Sequence, residues 1–598
     1  MPSRRSGEGT AGCLGATAQG SGLTRRRLTG YGDPAFSTYL RGAFAAGRGL
    51  TRAAHADRPV VGIADISIDV QSCHASMPML VQAVERGILQ AGGLPLRFPT
   101  IALPEVFTYP TSMYLRNLMA MDTEEMLRAL PIDAAVLVGG CDKSVPAQLM
   151  AAVSVDLPVV SLPVGPMASG AWQDQTLGAC TDCRRFWREA RGERLDPADL
   201  EALQEELVAG PGTCTVMGTA SSMAVIAEVL GVTLPGAASA PATSAERLRI
   251  AEASGAAAVR AALEDRRPSH YLTPGAFRDA LRALLALGGS TNAVIHLTAI
   301  ARRAGLAFGL DDVDAVGVDT PTLGNLRPHG RYQMAEFHRA GGVALLLDRL
   351  APLLTRGRRR FDGTPLRGPL PRRADETLGR DLMRTLDEPF APGAGIRVVR
   401  GSLAPDGAVI KPYAAAPGLL RHRGPAVVFD SLTHLAERID RVAVTPDSVL
   451  VLRHAGLVGA PGMPEAGWLP IPRSLARAGI SDMVRISDAR MSGTANGAVV
   501  LHVAPEAAVG GPLGLVRDGD VIELDAPAGR LDILVPTDEL AARAPSQPPP
   551  LPERGYARLF ASHVLGPDQG ADLDFLVPPP RNAGKRGSKA SRPTDPVG

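Results

Sequence analysis

The chain has 598 residues, 45% of them hydrophobic and 21% charged, which is a globular composition in a length that exceeds one growing core, so two packed domains are expected. A formal net charge of only +2, from 63 basic and 61 acidic residues, excludes a whole-molecule field for nucleic acid or a membrane surface, so an anionic substrate must be met by local groups. No apolar run reaches the roughly 18–20 residues that span a bilayer, and the start lacks the apolar stretch of a signal peptide, which makes the cytoplasm the expected location.

Residues 1–34 are rich in Gly, Ser, Thr and Arg, with Arg25, Arg26 and Arg27 consecutive, and read as a mobile, solvated tail. Val60–Ala64 predicts a buried strand, followed by a polar loop and a helical pattern through Met79, Leu80, Ala83, Val84, Gly87 and Ile88. The same order recurs with Ala134–Val138 as strand, Gly139–Lys143 as loop and Gln148–Ala152 as helix, and Leu157–Val160 is the next strand. Buried strands alternating with helices predict a doubly wound parallel sheet over residues 35–385, an α/β domain with ligands beyond the carboxyl ends of its strands. The arginine-dense stretch Arg356–Arg373 reads as a linker. From about residue 390 to 576 the texture changes to short β-branched runs, Ile396–Val399, Ala426–Phe429, Ser448–Leu452, Val521–Leu524 and Leu531–Leu534, which predict a β-barrel-like domain. Residues 577–598 read as a disordered tail.

The chemistry-bearing residues lie in the predicted loops. Cys73, Cys141 and Cys214 each stand alone, without a ferredoxin or zinc-ribbon spacing, and by spacing they read as buried thiols. Their neighbours are polar, however, and Asp142 and Lys143 beside Cys141 put a hard oxygen next to a soft sulfur, a pairing able to serve two different metals. Glu105 closes the strand-like run Phe98–Glu105, Glu465 lies in a chain of turn formers, and Ser492 precedes Gly493 in a permissive turn. Cys180 and Cys183 form a C-x-x-C that reads as a structural or fortuitous pair, and Cys13 falls in the tail. No nucleotide-phosphate loop and no G-x-S-x-G elbow are present, which removes support for nucleotide cofactors and for a serine hydrolase.

Taken together, segments such as VLVGGCDKSVPAQLMAA, LGACTDCRRFW, GTCTVMGTASSMAVIAEVLG, GMPEAG and ISDARMSGTANG resemble the dihydroxy-acid dehydratase and phosphogluconate dehydratase family, and most closely its sugar-acid members of the L-arabinonate or D-xylonate type. The resemblance runs from about Gly30 to Leu576. It implies a hydro-lyase in which Cys73, Cys141 and Cys214 hold a 2Fe-2S cluster, with 4Fe-4S as the alternative. It implies too that Glu105, Asp142, a carbamylated Lys143 and Glu465 bind Mg²⁺, that Ser492 is the base, and that the chain forms a homodimer or homotetramer. The expected substrate is a small hydroxy acid, a pentonate or hexonate converted to its 2-keto-3-deoxy acid, with no nucleic acid or membrane partner. Branched-chain dihydroxy-acid members typically carry Asn after the first cluster cysteine, whereas this chain has Cys73-His74-Ala75-Ser76-Met77-Pro78. That departure disfavours the amino-acid role, which stays as an alternative beside 6-phosphogluconate dehydration and, from another class, a non-catalytic iron–sulfur sensor.

Overall fold

The computed structural model describes residue 23 and residues 32–579; the tails expected at either end, with Cys13 and the Arg25–Arg27 run, lie almost wholly outside them. Four strands, β1 (Val60–Asp65), β2 (Leu94–Pro99), β3 (Ala134–Gly139) and β4 (Val159–Pro163), form a parallel sheet in the order β2-β1-β3-β4. Side chains alternate along each strand, so every strand feeds two cores. Val61, Ile63, Val136, Val138 and Val160 pack with Leu80 and Val84 of the helix Met77–Gln90 and with Ala251 and Ala258 of the helix Ala245–Leu263. Val60, Ala64, Ala135 and Leu137 face the other way, onto Leu127 and Ala151. Both faces are thus covered, which is why these strands read as unbroken apolar runs rather than as alternating ones.

The run Phe98–Glu105 is not one strand. Strand β2 ends at Pro99, and Glu105 opens a single 3₁₀ turn, Glu105–Phe107; Pro99 and Pro104 have no N–H to continue a ladder. A small hairpin, β5 (Gly170–Trp172) with β6 (Gln175–Leu177), leads into the helix Ala179–Arg191.

The C-terminal part is a closed barrel. Strands β7 (Arg397–Gly401), β8 (Ala404–Ile410), β9 (Arg421–Phe429), β10 (Val449–Leu452), β11 (Arg485–Ser487), β12 (Val499–Ala504), β13 (Val521–Asp525) and β14 (Arg530–Ile533) close in the order β10-β11-β12-β8-β7-β14-β13-β9. Val399, Ile410, Val428, Val451, Ile486, Val500, Ile522 and Leu531 fill its interior, and closure leaves no open strand edge.

The stretch 356–373 is pinned to the N-terminal unit. Arg358 pairs with Asp279 at 3.1 Å and donates to the carbonyls of Val229 and Leu230 at 3.1 and 3.0 Å, so its guanidinium caps the end of the helix Thr219–Leu230. Phe361 is fully buried there. The chain finally returns from the barrel to the first domain, where Arg303 and Asp572, both wholly buried, pair at 2.6 Å. Among the described residues no helix is long and apolar enough to cross a membrane.

Candidate active site

The carboxyl ends of β1 and β3 bring the first two cysteines together. Cys73 lies in the 3₁₀ turn Ser72–His74, and Cys141 follows β3 by two residues. The amide of Gln71 donates to both sulfurs, at 3.1 Å to Cys73 and 3.6 Å to Cys141. His74 packs against Gly140, where a Cβ would stand 2.2 Å from the imidazole. Burial pulls the His74 pKa down to about 4, so the ring is neutral, and its Nε2 accepts from the Cys141 N–H at 3.4 Å. His74 thereby ties the Cys73 turn to the backbone of the Cys141 loop.

Cys214 arrives on a loop whose Gly212 N–H is bonded to the Ser72 carbonyl at 3.1 Å. Its sulfur lies 3.4 Å from that of Cys180. The hydrogen bond to Cys180, burial, and the nearby sulfurs of Cys73 and Cys141 all push the Cys214 thiol well up; the contact with Cys73 followed by burial does the same to Cys141. Around this sulfur group the buried Gln71 Oε1, His74 Nδ1 and Thr215 Oγ1 have no hydrogen-bond partner among the described residues. The C-x-x-C is not a unit: Cys180 faces Cys214, while Cys183 is exposed.

Beside the sulfurs stands a knot of buried charge. Lys143 is wholly buried against Asp142 and lies 3.5 Å from Glu105. Arg490, also wholly buried, donates to Glu105 at 2.7 Å and to Glu465 at 2.6 Å. Burial would raise the Glu105 carboxyl, but Arg490, Lys143 and the Ser112 hydroxyl hold it well below the usual carboxylate range. At Glu465 burial wins and the pKa is raised despite Arg490. Among the described residues no three His, Cys, Asp or Glu side chains converge as ligands of a single ion, since Lys143 and Arg490 stand between the carboxylates.

Ser492 completes the group. Its Oγ is 2.8 Å from Thr494 Oγ1, which accepts from Arg184 at 3.0 Å, and Arg184 also lies 3.8 Å from Glu465. Gly493 serves close approach rather than an unusual dihedral: a Cβ would meet Ser290 Oγ at 2.5 Å and Thr219 N at 3.0 Å. The serine turn is thereby pressed onto the starts of the helices Thr219–Leu230 and Thr291–Arg303. One helix, Ala179–Arg191, carries both Cys180 on the sulfur side and Arg184 on the serine side.

Comparison with known proteins fits this geometry. Residues 58–367 match the Dihydroxy-acid/6-phosphogluconate dehydratase N-terminal family and residues 381–571 its C-terminal counterpart. The chain belongs to this dehydratase family. It is 46% identical to a 6-deoxy-6-sulfo-D-gluconate dehydratase of Pseudomonas putida, over 88% of this chain and 92% of that one. It is 44% identical to an L-arabonate dehydratase of Azospirillum brasilense, over 87% and 91%. A dihydroxy-acid dehydratase of Acetivibrio thermocellus is 34% identical over 87% and 94%. The protein is accordingly a hydro-lyase.

The eight residues to which the resemblance gave roles fall in this one region of the dehydratase, in two neighbouring groups. Arg490 and Arg184, which also lie there, were not singled out, and Cys180, read as half of a structural or fortuitous pair, stands against Cys214. Arg490 sits inside ISDARMSG and Arg184 directly follows the C-x-x-C, so adjacency to a singled-out motif was the available signal.

A second buried pair holds the turn that leads to Glu465. Asp488 accepts from the N–H groups of His454 and Ala455 at 3.2 and 3.0 Å, and Glu506 from those of Val458 and Gly459 at 2.8 and 2.9 Å. Burial raises Asp488 to about 6, and burial with the Asp488 charge raises Glu506 to about 7. A raised carboxyl keeps its proton in the folded state, so its stabilising contribution is present below the unfolded pKa and is lost as pH climbs through the folded one. Glu506→Gln keeps an oxygen acceptor without the charge. Its melting temperature is expected to gain on the parent steadily between about pH 5 and pH 8. A difference that does not vary with pH over that range would contradict the assignment.

Proposed function

We propose that the protein is a sugar-acid dehydratase that converts a pentonate or hexonate to the 2-keto-3-deoxy acid. The observation that carries this reading is the meeting of a thiol group and a carboxylate–serine group at the carboxyl end of the parallel sheet, bridged by the helix that bears Cys180 and Arg184. The activities of two relatives, on 6-deoxy-6-sulfo-D-gluconate and on L-arabonate, point to the same substrate class.

The donor chemistry fits two metal groups. Soft thiolates at Cys73, Cys141 and Cys214 suit an iron–sulfur cluster, 2Fe-2S in this proposal, and the unpartnered polar atoms beside them leave hydrogen-bonding capacity for one. Hard oxygens at Glu105, Asp142 and Glu465 suit Mg²⁺. Carbamylation of Lys143 would turn the buried ammonium between Asp142 and Glu105 into another oxygen donor. When bound, the two groups supply Lewis acidity at the substrate hydroxyls and carboxylate.

The chain's own residues do the rest. Ser492, as its alkoxide, takes the C2 proton; the C3–O bond breaks, the departing hydroxide recovers that proton from Ser492 and leaves as water, and the enol moves its hydroxyl proton to C3 to give the 2-keto acid. A free serine hydroxyl is a weak base. Here the Arg184 guanidinium, through Thr494, places positive charge behind the oxygen that must become anionic. Arg490 holds Glu105 and Glu465 in register from the barrel side.

The deciding experiment incubates anaerobically reconstituted protein with L-arabinonate, D-xylonate, D-gluconate and 6-deoxy-6-sulfo-D-gluconate, alongside dihydroxyisovalerate and 6-phosphogluconate, and assays 2-keto acid. Formation from at least one of the sugar acids lacking phosphate, at the highest kcat/KM of the panel, is expected. Product from the last two compounds alone would replace the substrate class.

A further inference from the structure

The arginine-dense stretch 356–373, which the dehydration chemistry does not use, closes one side of a cavity of about 300 Å³. The rest of the wall comes from the helix Gly342–Arg349, from His338, from the loop and first turn of the helix Ala245–Leu263, and from Glu228 near the end of the helix Thr219–Leu230. None of these residues belongs to the sulfur group or to the carboxylate–serine group. Thr219, at the opposite end of its helix, adjoins Gly493, and Glu228 stands about 14 Å further along the axis.

The polar wall is a hydrogen-bonded chain. The Arg373 guanidinium donates to Glu246 at 2.7 Å and to His338 Nε2 at 2.9 Å, so that nitrogen carries no proton and Nδ1–H donates to Ser239 Oγ at 3.0 Å. Burial and then Arg373 keep the His338 pKa below its ordinary value. Ser239, His338 and Glu246 share the order of a hydrolase triad, but the nitrogen facing the serine already bears the proton and cannot take another. Ser239 accepts from the ring and keeps its own hydroxyl proton to donate, which suits binding and not nucleophilic attack. Arg360 lines the same cavity. It donates to Thr364 Oγ1 and to the Leu366 carbonyl at 3.2 and 2.6 Å, its buried Nε has no acceptor, and its guanidinium has no ion pair among the described residues. Glu228 acts on it from a distance while accepting from the N–H groups of Gly236 and Ala238 at 2.8 and 2.9 Å.

We infer that this cavity is a second binding site, separate from the catalytic one, for a small hydroxylated monocarboxylate. The guanidinium of Arg360 has N–H donors to spare and no carboxylate of its own, which favours a ligand carboxylate. The Glu228 and Glu246 oxygens and the Ser239 hydroxyl are partners for ligand hydroxyls, and Leu347, Leu366 and Pro369 cover its C–H faces. Those two acids also repel a second negative charge, which disfavours a phosphate dianion. The volume is at the lower end of small-molecule sites. The site stands whichever acid the enzyme dehydrates.

The test applies phenylglyoxal to the full-length reconstituted protein and follows modification of Arg360, Arg373 and the exposed Arg421 of the barrel, the reference, by peptide mass spectrometry. The additions are D-gluconate, which carries carboxylate and hydroxyls whether or not it is turned over, sorbitol with hydroxyls alone, acetate with carboxylate alone, and inorganic phosphate. With D-gluconate at about ten times its apparent Kd, Arg360 and Arg373 are expected to react about tenfold more slowly, with Arg421 unchanged. Sorbitol, acetate and phosphate at the same concentration are expected to slow them less than about twofold. Protection of Arg373 is expected to disappear in Arg360→Gln, whereas the measurement on the parent needs no variant to fold. No selective protection up to tens of millimolar D-gluconate would overturn the site. Equal protection by sorbitol, acetate or phosphate would overturn the ligand class, and protection of Arg373 that persists in Arg360→Gln would remove Arg360 from the site.

Discussion

Arg490→Ala is expected to cost the protein about 3–5 kcal/mol, the range for removing one partner of a buried ion pair, and to abolish turnover. Arg490 is wholly buried and holds Glu105 at 2.7 Å, Glu465 at 2.6 Å and the Thr111 hydroxyl at 2.5 Å. Glu105 belongs to the first domain, whereas Glu465 and Arg490 belong to the barrel side, so the guanidinium is also a clamp across the two. Without it, two carboxylates remain buried, Glu105 with Lys143 at 3.5 Å and Glu465 with Arg184 at 3.8 Å as their neighbouring cations. The Glu105 carboxyl would rise from its depressed value, since burial is the largest influence on it and Arg490 the largest counterweight. Arg490→Lys keeps the charge but not the planar fork that reaches both acids, and an intermediate loss is expected. Thermal melting with and without millimolar Mg²⁺ gives the measurement. If Glu105 and Glu465 are Mg²⁺ ligands, the ion replaces part of the missing charge and the alanine variant regains more stability from it than the parent does. An alanine variant that melts with the parent would show that the clamp carries no weight.

Ser492→Ala is expected to lower kcat by about 10²–10⁴, the range for loss of a positioned general base, with the melting temperature almost unmoved. The two effects separate because the serine oxygen contacts only the hydroxyl and N–H of Thr494 among the described residues, at 2.8 and 3.4 Å, while the turn itself is fixed by Gly493 and by the Asn292 amide on the Met491 carbonyl at 3.1 Å. Exchange of the substrate C2 proton with D₂O reads the step directly and should vanish in the variant. Thr494→Val, which cuts the link from Arg184, should lower kcat less. Retention of C2 exchange in Ser492→Ala would assign the proton transfer to another group.

Three of the four strands of the parallel sheet, β1, β3 and β4, were legible because each is a local property, a run of β-branched and small apolar residues, whereas β2 was not singled out. Strands β1 and β3 begin at Val60 and Ala134, where the pattern places them. The barrel was legible as a class but not as an arrangement. Strand β11 is only Arg485–Ser487, too short to stand out, and its place between β10 and β12 follows from closing the sheet on itself. Phe98–Glu105 misled because an apolar run says nothing of the ladder that Pro99 and Pro104 cannot extend.

By itself the sequence placed Cys73, Cys141, Asp142, Lys143, Cys214, Glu465 and Ser492 in loops with polar or permissive neighbours, and only the resemblance to the dehydratase family gave them proposed roles. Only the tertiary structure decided how they are joined. Arg490 meets Glu105 across 385 residues of chain and Cys180 meets Cys214 across 34. Such pairings depend on how the barrel docks on the sheet and on where one helix crosses between them. Neither leaves a periodicity or a spacing to read, because a side chain's partner in a buried cluster is chosen by the packing of whole elements and not by its neighbours along the chain.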